Sequence, residues 1–153
     1  MMSQGLEVAI DKQLIKGRRR ARKIALQAIY QRLLSKAELT EIEAQFRAIH
    51  GDGKTDLDYF CRLFYGVEEA TERLDDALTP FLDRPIKNIN LVELAVLRLG
   101  AFELMDVLET PYRVVLDETV NLSKTFGSQD GHKYVNGVLN QLAKHIRVSE
   151  LKD

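Results

Sequence analysis

One cysteine, Cys61, stands alone in 153 residues, so the chain can form no internal disulfide and no cysteine-based structural zinc site. A reducing compartment suits such a chain. No run of about 18 apolar residues occurs, and the amino end has no apolar stretch ahead of its positive charges, so neither a membrane span nor a secretory signal is expected. No segment alternates apolar and polar residues convincingly at a period of two, and neither internal repeats nor low-complexity runs are visible. With 45% hydrophobic and 29% charged residues, the composition also excludes collagen-like and wholly disordered chains. What remains is a soluble, cytoplasmic, globular chain of 17.5 kDa with a sizeable core.

The net charge of -1 conceals a strong polarity. Lys12 to Lys36 carries nine Lys and Arg and no acid, which leaves 13 basic and 23 acidic residues, or -10, for the rest. Such asymmetry points to a polyanion-binding patch on an acidic body.

Residues 1–16 show little periodicity and are expected to form a flexible arm, with one frayed turn around Leu6 to Leu14. From Arg18 to Leu34, Ala21, Ala25, Ile29 and Leu33 recur at helical spacing while Arg18, Arg22 and Lys23 fall off that stripe, which predicts a basic amphipathic helix. Thr40 and Glu43 have the spacing of a capping box for a second helix ending at His50, with Ile42, Phe46 and Ile49 on its buried edge. A long core helix follows from Leu57 to Leu78, and Thr79-Pro80 opens a short turn ending before Pro85. Between Asn90 and Met105 nearly every face is apolar, which marks a central helix, and Pro111 starts another that stops at Gly127. Asn136-Gly137 is a hairpin signal, but Val135, Val138, Leu139, Leu142 and Ile146 keep one helical stripe, so a last helix is expected with something approaching Gly137 closely. Six or seven helices result. Residues 17–149 form one helical domain and 150–153 a tail.

Little of the chain has the makings of a catalytic centre. His50, His132 and His145 lack metal-ligand spacing, and Gly53-Lys54-Thr55 imitates a phosphate loop whose earlier glycine is replaced by Ala48. Asp75-Asp76 and Asp117-Glu118 fall on predicted helix surfaces as solvated charge, and Cys61 on a core stripe as a buried thiol. The exception is Arg18, Arg19, Arg20 and Arg22, four arginines where helix starts prefer acids. Guanidinium groups pair with phosphates and stack on unpaired bases, which suits single-stranded RNA. A second patch follows Gly127, where Ser128 is placed to cap the last helix and Lys124, Phe126, Lys133 and Tyr134 supply cations and rings. Phe126 fits either a stacking surface or a core position.

Five collinear stretches, RRRARKIALQAIY, LTPFLDRP, VELAVLRLGAFEL, PYRVVLDETVNLSKTFG and DGHKYVNGVL, resemble the bacterial transcription antitermination factor NusB family over most of residues 18–142. The resemblance implies an all-α fold of two small helical bundles packed across each other, no enzymatic activity and no cofactor. It also implies RNA-binding at the boxA element of nascent RNA, together with the ribosomal protein NusE, in a complex that keeps RNA polymerase elongating through ribosomal RNA operons. Position by position, Arg18, Arg19, Arg20, Arg22 and Gln27 match the family's RNA-binding helix, beside which Lys23 adds charge. Asp130, Lys133 and Tyr134 match its RNA-contacting turn, and Tyr30 and Glu93 match positions used toward NusE. Gly131 stands where the family commonly has serine, which removes a hydroxyl and is expected to loosen the turn. Glu93, interrupting an apolar helix, is expected at the surface as the acid a basic partner seeks. Two other readings fit the residues: a helical adaptor for an acidic protein, and a stand-alone relative of the NusB-like domain of ribosomal RNA cytosine methyltransferases. Monomer and homodimer both remain open.

Overall fold

The computed structural model describes residues 4–151; residues 1–3 of the expected arm and 152–153 of the expected tail lie outside it. The described residues form seven α-helices and two short 3-10 turns, with no strand among them. The order is α1 (Gln4–Ser35), α2 (Leu39–His50), α3 (Leu57–Leu78), α4 (Leu91–Asp106), α5 (Tyr112–Phe126), α6 (Gly131–Ile146) and α7 (Val148–Leu151). The 3-10 turns, Thr79–Phe81 and Ile86–Asn88, occupy the proline-bounded stretch between α3 and α4. The chain divides into two compact units, residues 1–65 and 66–153.

In the first unit α1 packs on α2, and a line of rings closes the core: Phe46 lies 5.8 Å from Phe60, which stacks 5.8 Å from Phe64. Helix α1 begins at Gln4 and not at Arg18, so the segment expected to be an arm is helical where it is described. Once a helix is nucleated, each added residue gains a hydrogen bond, and nothing in 6–16 breaks it. Its far end closes on Arg32, whose guanidinium donates to the carbonyls of Lys36 (3.0 Å) and Ala37 (2.6 Å). The capping box does not form: α2 starts one residue earlier with Glu38 at its N-cap and no side-chain cap. Ile42 and Phe46 are buried as expected, but Ile49 is 73% exposed, because the buried edge ends one turn before the helix does.

In the second unit α4, α5 and α6 pack against one another. Gly100 makes this possible, since a Cβ there would fall 2.5 Å from Leu139 and 3.1 Å from Thr119. Asn90 caps α4 by accepting from the N–H groups of Val92 (2.9 Å) and Glu93 (3.4 Å). The other end of α4 is held by Arg147, 3% exposed, whose guanidinium donates to the carbonyls of Glu103, Leu104, Val107 and Thr110 and pairs with Glu150. Several surface assignments change. Asp75 is half-buried in a bidentate pair with Arg98 (2.8 and 2.9 Å), and Glu118 is buried. Cys61 is only half-buried, accepting from Arg47 at 3.2 Å. Gly137 meets nothing within 4 Å of a Cβ position, so no close neighbour explains that glycine.

Candidate nucleic-acid interface

The arginine cluster on α1 divides by environment. Arg22 is 4% exposed, with its guanidinium 5.5 Å from the centre of the buried Tyr59 ring, and Arg18 lies over the same ring at 4.3 Å with Nε 4.0 Å from Asp56. A buried tyrosine face attracts such cations, so these two arginines hold the first turns of α3 against α1. Arg22 is therefore not the exposed contact that its place off the apolar stripe implies. Arg19, Arg20 and Lys23 are exposed, and Arg19, Lys23 and the half-buried Gln27 recur every four residues along one face. Tyr30 follows three residues later, half-buried.

The loop between α2 and α3 joins this face. Asp56 donates its N–H to the Gly17 carbonyl (3.1 Å), Arg20 donates to the Lys54 carbonyl (3.2 Å), and Lys54 is itself exposed. Asp52 accepts the Lys54 N–H (3.0 Å), which holds its carboxyl below the usual range and shapes the turn at Gly53, where φ is +81°. Lys54 thus adds a cation to the face of α1. Its sequence signal pointed elsewhere, to the imperfect phosphate loop.

In the second unit Lys124, Phe126, Asp130, Lys133 and Tyr134 surround the turn between α5 and α6. Lys124, Asp130 and Lys133 are exposed, and Phe126 and Tyr134 are half-buried, so Phe126 is intermediate between its two expected roles. Asp130 is the N-cap residue of α6 but makes no side-chain cap; its carboxylate lies 3.7 Å from Lys133 in an exposed pair. Arg84 covers one face of the Tyr134 ring at 4.7 Å, and the Tyr134 hydroxyl accepts the Asp83 N–H at 3.3 Å. Burial foremost pushes the Tyr134 phenol up, while the Arg84 guanidinium holds the Asp83 carboxyl below its ordinary value. Asp83 and Arg84 escaped the sequence reading, because nothing local places them 50 residues away beside Tyr134.

Two expectations fail at this turn. Ser128 does not cap α6; its hydroxyl donates to Glu93 Oε1 at 2.8 Å. Glu93 is not a surface acid but 6% exposed, its carboxylate seated against the start of α6. Among the described residues no three His, Cys, Asp or Glu side chains cluster as a metal site, and no helix is long and apolar enough to cross a membrane.

Comparison with known proteins matches residues 19–144 to a family model described as the NusB family. The chain is 56% identical over 142 residues to transcription antitermination protein NusB of Legionella pneumophila (strain Corby), covering 93% of this chain and 97% of that protein. It superimposes on the solved structure of T. maritima NusB with a TM-score of 0.78 at 26% identity, covering 89% and 97% of the two chains. A structure of antitermination factors NusB and NusE in complex with dsRNA gives a TM-score of 0.76 at 26% identity, over 84% of this chain and 96% of that one.

Proposed function

Because this chain belongs to the NusB family, we propose that it is a transcription antitermination factor that binds boxA-type single-stranded RNA together with the ribosomal protein NusE. It acts as a binding protein without a catalytic step, in the cytoplasm, as part of the RNA polymerase antitermination complex on ribosomal RNA operons. The observation that carries the reading is the exposed stripe of Arg19, Arg20 and Lys23, extended by Lys54, on a chain whose remainder is acidic. Cations along one helix face neutralise successive phosphates and release their counterions, which drives association with any nucleic acid strand. Arg18 and Arg22 act from behind, holding the helix to Tyr59.

Around the second turn, Lys124 and Lys133 meet phosphates, and the rings of Phe126 and Tyr134 stack against bases. Asp130 sits beside Lys133 as a tuning charge. Gln27 reads a base edge or sugar from α1, and Tyr30 faces NusE. Residues 17–149 form the NusB-like module in this reading.

The reading is tested by transcription in vitro from a template with boxA upstream of a terminator. Adding this protein with NusE should raise readthrough, and a scrambled boxA should abolish the gain. Equal readthrough on both templates would contradict it.

A further inference from the structure

The glycine at 131 is not there for its backbone: it carries no positive φ and opens an ordinary α-helix. A Cβ at that place would fall 2.2 Å from Glu93 Oε1, 2.9 Å from Glu93 Cδ and 2.9 Å from Ser128 Oγ. The missing side chain is replaced by a carboxylate reaching across from the first turn of α4.

We propose that Glu93 is the positioning residue of the α5–α6 turn, that its carboxylate in the space left by Gly131 holds Ser128, and that RNA affinity depends on this fit. The inference rests on the RNA-binding reading of the turn. A carboxylate more than nine-tenths buried is unfavourable unless it is partnered. Glu93 has the Ser128 hydroxyl, and it lies at the N-terminal end of α6, where unsatisfied N–H groups favour negative charge. Its own backbone is fixed by the Asn90 cap, so the acid is a rigid strut and not a swinging arm. The Arg84 guanidinium is held above its ordinary value by Asp83 first, and at longer range by Tyr134 and Glu93. Ser128 and Gly131 frame Asp130 and precede Lys133 and Tyr134 by a few residues, so moving the strut moves the cations and rings with it. On this inference Gly131 does not loosen the turn but admits the group that ties it.

The test is a double-mutant cycle read in two ways. Wild-type protein, Glu93→Ala, Gly131→Ala, the double variant and Glu93→Gln are titrated without NusE against boxA-like and scrambled single-stranded RNA of equal length. Amide hydrogen exchange at 128–134 is followed in each free protein. Glu93→Ala and Gly131→Ala should each weaken boxA-like RNA about fivefold, the equivalent of one lost hydrogen bond, and the double variant should be no weaker than either. Glu93→Gln, which keeps the acceptor oxygen, should stay within about twofold of wild type. The salt slope should fall by no more than about 0.7, since Lys133 is shifted and no cation is removed. Exchange at the turn should rise in the two alanine variants with the same non-additivity. Losses that multiply in the double variant, or an unaffected Gly131→Ala protein, would overturn the inference. If wild-type protein bound both RNAs alike, the RNA reading would fail, while the exchange data on the free proteins would still decide whether Glu93 positions the turn.

Discussion

At the scale of single residues, exposure separates the cations proposed to meet RNA from those packed into the fold. Replacing Arg19 and Lys23 with Ala should lower the salt slope of log K by about 0.7 for each lost phosphate contact, and as exposed residues they should change the melting temperature less than a buried one does. Arg22→Ala should do the opposite in thermal melts, lowering stability by about 1–3 kcal/mol through lost packing on Tyr59 while the salt slope holds. Asp130→Asn should tighten RNA binding by removing a negative charge beside the phosphates. It should leave stability unchanged, because Asp130 caps nothing. Glu93→Lys, which an exposed acid would tolerate, should instead weaken RNA by displacing the turn, because it sets a positive charge against the N-terminal end of α6. One pair gives a pH signature. Hydrogen bonds from Tyr65 (2.5 Å) first and Arg47 (2.6 Å) next hold the Glu43 carboxyl below its usual 4.5, and the same bond pushes the Tyr65 phenol up to about 12 from 10.0. The depressed acid contributes stability above pH 4.5 that is lost as pH falls through its folded value. The raised phenol contributes stability below pH 10 that is lost as pH rises toward 12. In urea titrations across pH, Tyr65→Phe should therefore differ most from wild type between those limits.

Elements were legible in the sequence where apolar residues repeat, and not where contacts come from elsewhere in the chain. The periodicity of Leu57 to Leu78 matches α3 residue for residue, and the apolar run after Asn90 is α4 with that asparagine as its cap. The helical content ahead of Gly17 was invisible because residues 11–16 are all exposed and form no buried stripe for periodicity to reveal. Burial of Arg22 depends on Tyr59, 37 residues away, and burial of Glu93 on Ser128 and Gly131, so local spacing mistook both for surface. Arg147 gave no signal of its burial either, since four of its partners are backbone carbonyls 37 to 44 residues earlier. Arg147→Met should cost about 3 kcal/mol, as those buried carbonyls would lose their donors. Gly137→Ala should raise stability by about 0.5–1 kcal/mol, because the site lies inside α6 in open space. Chemical denaturation of the two variants checks both.

At the scale of the whole molecule, the charge polarity offers each proposed partner its own ground. On the proposed function, RNA would be drawn first to the +9 segment, and a basic ribosomal protein to the remainder at -10. Long-range attraction speeds encounter for both and fades as salt rises, while sequence preference must come from bases held by rings and short polar contacts. The most direct measurement is the affinity for boxA-like RNA across a series of salt concentrations, with and without NusE, beside a scrambled strand and a boxA-like duplex. The account expects the boxA-like single strand to bind most tightly at every salt, NusE to widen its margin, and the salt slope to fall when Arg19 and Lys23 are replaced. Equal affinity for the boxA-like and scrambled strands, with a slope indifferent to those replacements, would contradict it.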